Sequence, residues 1–250
     1  MAKKQANGGS RTRRTANPVR KTTNSSAMRG FYVVLAVIAV LGIAGLSYLA
    51  ARPKGSVSTW DSTLPKLNAM GHTEGSDSAR LEVVEFADFE CPICGQWATL
   101  TEPDVRTHLI DSGVVRLRYM DFPLNIHRNT WAAHNAAWCA GDQGKFWPMH
   151  DAIYHYQDSW NTEATDNPEK VLAGVAQGVG VDMNQYNACM KARKFQAQLQ
   201  ANELEAERRH LDATPTFVFG NKVVANYLTY DQFKAEVDSA IARQKAPAGK

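Results

Sequence analysis

The sequence predicts an α/β domain that carries an inserted all-helical subdomain and is preceded by one N-terminal transmembrane helix. Three patterns lead to this fold class: an uncharged apolar run at residues 31–50, a strand–helix–strand pattern over 81–120, and a long helical stretch over 126–210 ahead of a hairpin pattern. At 250 residues, of which 44% are hydrophobic, the chain is long enough for one packed domain with appendages.

The basic residues are concentrated at the N-terminus. Residues 1–30 contain eight of the 28 lysines and arginines and none of the 25 acidic residues, so a +8 segment precedes a body of charge −5. This segment is too polar to bury a core, which predicts a disordered cytoplasmic tail. A basic arm can bind nucleic acid, but the apolar run that follows it directly favours a membrane role. We therefore expect no nucleic-acid partner.

Residues 31–50 are twenty residues without a charge, and as a helix they would cross the ~30 Å hydrocarbon core of a bilayer. Basic residues dominate the N-terminal side, whereas only Arg52 and Lys54 follow closely. The positive-inside rule then predicts a single-pass cell-membrane protein with a cytoplasmic N-terminus and an extracytoplasmic domain. A cleaved signal peptide is the alternative. Its apolar core is only about 7 to 15 residues long, so an uncleaved signal anchor is favoured.

The folded domain is expected after a linker. The segment 51–79, rich in Pro, Gly and Ser, is predicted to be an extracytoplasmic linker, the domain to occupy 80–243, and a flexible tail to follow at 244–250. A β-branched, apolar run predicts the first strand at 81–86. A helix follows a pair of cysteines, and a partly alternating run predicts the second strand at 114–120.

A helical insert is the largest feature of the predicted domain. From about residue 126 to 210 the pattern is helical almost throughout, with glycines separating the segments. Strand character returns at 216–219 and 222–225, which a Gly-Asn turn joins into a hairpin. An amphipathic helix at 230–242 closes the domain. The order is therefore strand, helix, strand, helical insert, hairpin and helix.

The motif Cys91-Pro92-Ile93-Cys94 joins the first strand to the following helix. Free N–H groups and the macrodipole at a helix N-terminus favour negative charge, so Cys91 should ionise more readily than a free thiol. Half of a zinc site is the alternative, but Cys139 and Cys189 stand alone without the comparable spacing that a zinc site needs. The motif therefore predicts thiol–disulfide chemistry.

The seven histidines form no metal-binding pattern. His150 and His155 lie five residues apart, which is not the i, i+4 spacing of a helical metal pair. We expect them at the surface or satisfied within a helix. The sequence thus predicts no metal site and no cofactor.

Four separated segments make the indication more specific. They are residues 85–94 (EFADFECPIC), 121–124 (DFPL), Cys139-Ala140 followed by 144–147 (GKFW), and 214–217 (TPTF). In this order they resemble the DsbA-like thiol:disulfide oxidoreductases, in particular the membrane-tethered thioredoxin-4 type, over about residues 70–242. The resemblance implies a thioredoxin fold that carries the helical insert.

The position of each cysteine suggests its role. Cys91, at the helix start, is the expected nucleophile, and Cys94, one turn further in, is the expected resolving thiol. Strongly oxidising relatives often carry a histidine between the two cysteines, whereas this chain has Pro92 and Ile93. We therefore expect an oxidant of intermediate strength.

The resemblance also implies a cis peptide bond between Thr214 and Pro215, beside the active-site cysteine. Such a bond would turn the backbone of Thr214 toward the cleft, where it can pair with an extended client segment. A trans proline that opens an edge strand is the alternative.

Glu85 lies in an otherwise apolar strand, six residues before Cys91. If it faces the interior near Cys94, its pKa is raised and it can carry the proton that this thiol gains or loses. An outward-facing residue paired with a basic neighbour is the alternative. Asp88 and Glu90 are expected to be loop residues whose charge slightly opposes thiolate formation.

Cys139 and Cys189 both lie in the helical insert of a domain expected in an oxidising compartment. A disulfide between them would close a loop of about 50 residues, worth ~4 kcal/mol in the loop-entropy model. This structural disulfide is favoured, with two buried free thiols or a second redox pair as alternatives.

The predicted function is a membrane-anchored oxidase that forms disulfides in exported cysteine-containing clients. The resemblance implies that a quinone-linked membrane partner reoxidises it. An exported reductase or isomerase is the first alternative. The second, from another class, is a non-catalytic client-binding or chaperone module, which the presence of both Cys91 and Cys94 disfavours.

Overall fold

The computed structural model describes residues 25–50, 57–60 and 68–245. Helix α1 (Ser25–Ala50) covers the predicted apolar segment and belongs to a compact unit separate from the rest of the chain. Among the described residues, no helix is both long and apolar enough to cross a membrane. The transmembrane assignment stays a prediction. Most of the predicted tail at 1–30, parts of the predicted linker, and residues 246–250 lie outside the described residues.

A mixed six-stranded sheet organises the second unit. Its strands are β1 (Val57–Thr59), β2 (His72–Glu74), β3 (Leu81–Ala87), β4 (Val115–Asp121), β5 (Thr216–Phe219) and β6 (Lys222–Ala225). They lie in the order β1-β6-β5-β3-β4-β2, in which β3 and β4 are parallel and every other pair is antiparallel. The predicted strand, helix, strand and hairpin are thus confirmed.

Two edge strands arise from the segment that the sequence predicts to be linker. Strand β1 pairs with β6, and β2 pairs with β4. Each has three residues, too few to show an alternating pattern, and each is held by its neighbour in the sheet rather than by its own composition. The ordered sheet therefore starts earlier in the chain than its first predicted strand.

The helices confirm the predicted insert. They are α2 (Pro92–Leu100), α3 (Glu102–Val105), a π-helical turn (Arg106–Ile110), α4 (Thr130–Gly141), α5 (Phe146–His155), α6 (Gln157–Trp160), α7 (Pro168–Val179), α8 (Met183–Ala192), α9 (Gln196–Arg208) and α10 (Tyr230–Lys245). Helices α4 to α9 all lie between β4 and β5 in the chain. The closing helix α10 forms as predicted and extends three residues further.

The hydrophobic core is divided between the sheet and the insert. One cluster joins the sheet, through residues such as Val83 and Phe217, to Phe233 and Val237 of α10. Another consists mainly of side chains from the helical insert and also includes both cysteines of the Cys-Pro-Ile-Cys motif. The motif is therefore packed against the inserted helices.

Candidate active site

The Cys-Pro-Ile-Cys motif lies where β3 passes into α2. Cys91 is the N-cap residue of α2, with extended backbone angles, and Pro92 occupies the first helical position, where its missing N–H costs nothing. Both cysteines are free thiols. Cys94 is fully buried, whereas Cys91 retains 6% exposure. The predicted difference in access between the two sulfurs is confirmed, although Cys91 is itself largely buried.

Cys91 has an acidified thiol. Its pKa is lowered to about 6, chiefly by the hydrogen bond from the Cys94 thiol, with further help from Thr214 and from the N–H groups of Cys94 and Ile93; burial acts in the opposite direction. The hydroxyl of Thr214 has no hydrogen-bond partner among the described residues, so it is free to donate to a Cys91 thiolate. Much of Cys91 is therefore anionic at neutral pH.

Cys94 behaves in the opposite way. Burial raises its pKa well above that of a free thiol, and the hydrogen bond to Cys91, the Cys91 charge and the Glu85 charge raise it further. One thiol of the pair is thus held as the nucleophile and the other as the protonated partner. This division of labour is what thiol–disulfide exchange requires.

The bond between Thr214 and Pro215 is cis, as predicted. The carbonyl oxygen of Thr214, two residues before β5, accepts a hydrogen bond from the Cys91 thiol at 3.5 Å. A peptide backbone that approaches Cys91 would therefore meet the backbone of residue 214.

Asp88 lies in the loop that precedes Cys91, as predicted, and it is a buried anchor of that loop. Its carboxylate accepts hydrogen bonds from the N–H of Glu90 and of Leu124, both at 2.8 Å, and from the Thr130 hydroxyl, and it lies 2.7 Å from Nδ1 of His127. Burial opposes its ionisation, but the hydrogen bonds from His127 and Thr130 outweigh burial and lower its pKa. These hydrogen bonds therefore stabilise the ionised form of Asp88.

Glu90 is likewise buried. One carboxylate oxygen accepts from the N–H of Asn129 at 2.7 Å, and the other accepts from the N–H of Thr162 at 2.5 Å. The residue just before Cys91 thus ties the motif to two loops of the helical insert. Sequence patterns missed this role because both donors are backbone groups distant in the chain.

Gln157, at the start of α6, also holds the motif in place. Its side-chain amide donates to the carbonyl oxygens of Phe89 at 2.6 Å and Cys91 at 3.0 Å. Gly95 allows this approach, since a Cβ atom there would lie 2.8 Å from the Gln157 amide oxygen. Nothing in the sequence pattern singles out Gln157.

Glu85 faces the interior of the domain. Its side chain is 1% exposed, and one carboxylate oxygen has no hydrogen-bond partner among the described residues. Burial raises its pKa well above the usual value, and the charge of Glu102 raises it further, while Arg106 acts against both. Of the two alternatives for Glu85, the buried one is correct.

The disulfide between Cys139 and Cys189 is present and joins α4 to α8 within the insert, with 5.8 Å between the two Cα atoms. Both residues are buried, in the same hydrophobic cluster that contains the two cysteines of the Cys-Pro-Ile-Cys motif. The predicted structural pairing is confirmed.

His150 is not a surface residue. It is fully buried on α5, with Nδ1 2.9 Å from a carboxylate oxygen of Asp151 and with no partner for Nε2 among the described residues. Its neighbours include Glu102, and these three residues could offer ligand atoms to a metal ion. Arg106, however, already binds the carboxylates of both Glu102 and Asp151. The cluster is thus internally charge-paired.

Comparisons with known proteins agree with this geometry. A family model described as thioredoxin matches residues 67–239. The "Probable disulfide bond formation protein D" of Bacillus anthracis is 27% identical over 226 residues, which cover 89% of this chain and 100% of that protein. The crystal structure of α-DsbA1 from Wolbachia pipientis superposes with a TM-score of 0.63 at 20% identity, over 72% of this chain and 94% of that one, which shows the same fold.

A further match is to part of a larger protein. The "Na(+)/H(+) antiporter NhaA 1" of Salinispora arenicola is 31% identical over 172 residues, which are 68% of this chain but only 25% of the antiporter. The chain thus spans about a quarter of the length of that relative.

Proposed function

This chain belongs to the thioredoxin family, among its DsbA-like thiol:disulfide oxidoreductases, and from that premise we propose that it oxidises the cysteines of exported proteins. The observation that carries the proposal is the opposite shift of two neighbouring thiols: the pKa of Cys91 falls to about 6, while that of Cys94 rises. A stabilised thiolate on Cys91 favours the reduced dithiol, and a disulfide whose reduced form is stabilised is an oxidant.

The reaction proceeds in two exchanges. A client thiolate attacks the Cys91 sulfur, the Cys91–Cys94 bond breaks, and the electron pair leaves on Cys94, which must be protonated because it is buried. A second client thiolate then attacks the client sulfur of the mixed disulfide and releases Cys91 as a thiolate. The client gains one disulfide, and the protein retains the two electrons as a dithiol.

Glu85 supplies the proton for Cys94 in this proposal. Burial raises the pKa of Glu85 well above its usual value and so favours the protonated form, and a protonated carboxyl can act as a general acid toward a leaving thiolate. The electrostatic coupling between Glu85 and Cys94 supports this pairing. In the reverse direction the same carboxylate accepts the proton of Cys94.

Thr214 and Pro215 contribute the client-binding surface. The backbone of Thr214 lies beside the Cys91 sulfur and can pair with an extended client segment as an added strand would. DsbA-like proteins act on exported cysteine-containing clients. We therefore assign clients of this kind to the cleft at Cys91.

We further propose that residues 31–50 anchor the domain on the extracytoplasmic side of the cell membrane. The support is the uncharged sequence, the basic residues before it, and the exposed apolar side chains of α1, among them Phe31 and Leu41. A quinone-linked membrane protein is the proposed oxidant of the reduced pair. It would accept the two electrons and restore the disulfide.

The deciding experiment is the equilibrium of the Cys91–Cys94 disulfide against glutathione at pH 7, with Cys91→Ser as the control. We expect a potential above about −250 mV and below that of DsbA, about −120 mV. A potential below about −250 mV would support the exported reductase instead. If Cys91→Ser and Cys94→Ser together left client maturation in cells intact, the protein would be a non-catalytic binding module.

A further inference from the structure

The turn that leads into Cys91 is fixed by the backbone and the side chain of one buried residue. The carbonyl oxygen of Asp88 accepts a hydrogen bond from the N–H of Cys91 at 3.1 Å, and it also accepts from the hydroxyl of Tyr154 at 3.4 Å. The carboxylate of the same residue accepts from the N–H of Glu90 at 2.8 Å. The turn over residues 88–91 is therefore closed on Asp88.

The carboxylate of Asp88 also holds the loop between β4 and α4. Its Oδ2 atom accepts from the N–H of Leu124 at 2.8 Å and lies 2.7 Å from Nδ1 of His127. The N–H of His127 donates to the carbonyl oxygen of Leu124 at 2.9 Å, so a turn closes around this one carboxylate oxygen. Oδ1 accepts from the hydroxyl of Thr130, the first residue of α4. One buried side chain thus joins the loop of the nucleophile to the next loop and helix.

The position of this loop matters because the Cys91 thiolate depends on donors that are themselves fixed. They include the Cys94 thiol and the N–H groups of Ile93 and Cys94 in the first turn of α2. Hydrogen bonds weaken steeply when their distance or angle departs from the optimum. The anchor at Asp88 therefore determines how well the Cys91 sulfur is aligned with the groups that stabilise its charge.

The anchor also has an electrostatic cost, since a carboxylate three residues before the nucleophile opposes a thiolate. The hydrogen bond from His127 is the largest favourable cause of the lowered pKa of Asp88. The pKa of His127 is raised, first by this hydrogen bond and further by the charges of Asp88, Cys91 and Glu90, although partial burial acts against it. At pH 6, His127 is thus protonated and paired with an ionised Asp88.

A second imidazole near Asp88 is bound to another carboxylate. Nε2 of His134 lies 3.9 Å from Oδ1 of Asp88, beyond hydrogen-bond distance, whereas Nδ1 lies 2.6 Å from a carboxylate oxygen of Asp121. His134 is fully buried, while the side chain of His127 is 16% exposed and can exchange protons with solvent. Of these two imidazoles, His127 is therefore the one that pairs directly with Asp88.

We propose that Asp88 and His127 act together as positioning residues for Cys91: the carboxylate holds the loop that presents the thiol, and the imidazolium compensates the charge of that carboxylate. This inference rests on the exchange through Cys91 in the proposed function. Neither side chain passes a proton or an electron to the client, so the balance of the exchange is unchanged. Loss of the imidazolium leaves an uncompensated carboxylate beside the nucleophile, which disfavours the thiolate and hence the reduced dithiol.

The test compares His127→Asn with His155→Asn. Asparagine places an amide N–H donor near the position of Nδ1, so the contact with Asp88 can persist while the positive charge is lost. His155, an exposed histidine at the end of α5, lies outside both loops and is the matched control. The readouts are the pH midpoint of Cys91 alkylation by iodoacetamide and the equilibrium of the Cys91–Cys94 disulfide with glutathione.

For His127→Asn we expect the alkylation midpoint to move to higher pH, with a rate at pH 6 about threefold below wild type, because the thiolate is less stabilised. At pH 9 the rate should approach that of wild type, since the thiolate is then complete in both proteins. The glutathione equilibrium at pH 7 should move toward the disulfide. A midpoint that stays at the wild-type pH, or that moves equally in His155→Asn, would overturn the inference.

The variant Asp88→Asn separates charge compensation from a direct effect of His127 on Cys91. Without the carboxylate there is no charge to compensate, so adding His127→Asn to this variant should leave the midpoint where it is. A shift as large as in the wild-type background would contradict the role of Asp88. If Asp88→Asn does not fold, the comparison of His127→Asn with His155→Asn still decides the inference.

Amide hydrogen exchange tests the anchoring itself. Asparagine at position 88 retains one acceptor oxygen, so the N–H of Glu90 or that of Leu124 should exchange faster in Asp88→Asn than in wild type. Unchanged exchange at both would contradict the anchor. Failure of these arms leaves disulfide exchange by the wild type, and its loss in Cys91→Ser, unaffected. It is therefore distinguishable from failure of the proposed function.

Discussion

The two thiols of the motif lie one helical turn apart, and their environments still move their pKa values in opposite directions. Cys91 is the N-cap residue of α2, whereas Cys94 is fully buried. The largest cause of the lowered pKa of Cys91 is a hydrogen bond from Cys94, whereas that of the raised pKa of Cys94 is burial. The two pKa shifts can therefore be separated by substitution.

The Cys94→Ala variant is expected to raise the pKa of Cys91 from about 6 toward the ordinary value of 9.0, since it removes the largest stabilising hydrogen bond. The rate of alkylation by iodoacetamide as a function of pH measures this change. Cys91→Ala should show no transition near pH 6. An unaltered transition in Cys94→Ala would mean that the helix terminus, not the Cys94 thiol, sets the acidity.

The same pKa shift makes the stability of the reduced protein depend on pH. The folded-state pKa of Cys91 lies below its unfolded value, so the stabilisation is fully present above about pH 9 and is lost as the pH falls through about 6. Between these two pH values, ionisation of Cys91 stabilises the folded, reduced protein increasingly as the pH rises.

At the level of elements, the helical insert immobilises the motif that it covers. Glu90 and Gln157 bind the loop before α2 to the insert, and the Cys139–Cys189 disulfide joins two helices of that insert. The insert is therefore part of the architecture that holds the motif, and its disulfide is expected to serve stability.

Replacing both Cys139 and Cys189 by alanine should reduce the free energy of unfolding by about 2–4 kcal/mol, because the unfolded chain regains the freedom of a closed loop. Urea denaturation measures this loss. The equilibrium of the Cys91–Cys94 pair with glutathione should stay as in the wild type. A large change in that equilibrium with unchanged stability would instead indicate a second redox pair.

On the scale of the whole molecule, the chain consists of a separate N-terminal unit with α1 and a second unit that contains the redox domain. The boundary lies between Pro53 and Lys54, ahead of β1, so the complete sheet belongs to the second unit. Catalysis and the proposed anchoring can therefore be tested independently.

A chain that starts at residue 54 should remain soluble and keep the glutathione equilibrium of the full-length protein, because every described strand and the whole motif are retained. The full chain should sediment with membranes and resist carbonate extraction. Recovery of the full chain in the soluble fraction would refute the anchor at residues 31–50.

The sequence by itself determined the chemistry and the order of elements. Several elements are local patterns, which adjacent residues encode through periodicity and turn chemistry. They are the strand that leads to Cys91 at a helix start, the helical stretch, and the hairpin. The pairing of Cys139 with Cys189 and the cis bond at Pro215 were predicted with the help of compartment and resemblance.

Only the tertiary structure decided which polar residues surround the sulfurs. Of the two settings expected for His150, the surface or a helix interior, the structure shows the buried position on a helix. Asp88 and Glu90 lie in the loop where the sequence places them, yet both are buried, because their partners come from segments far away in the chain. Strands β1 and β2 exist for the same reason. Burial and long-range hydrogen bonding depend on how elements pack, and packing sets the pKa values that turn two cysteines into a nucleophile and its protonated partner.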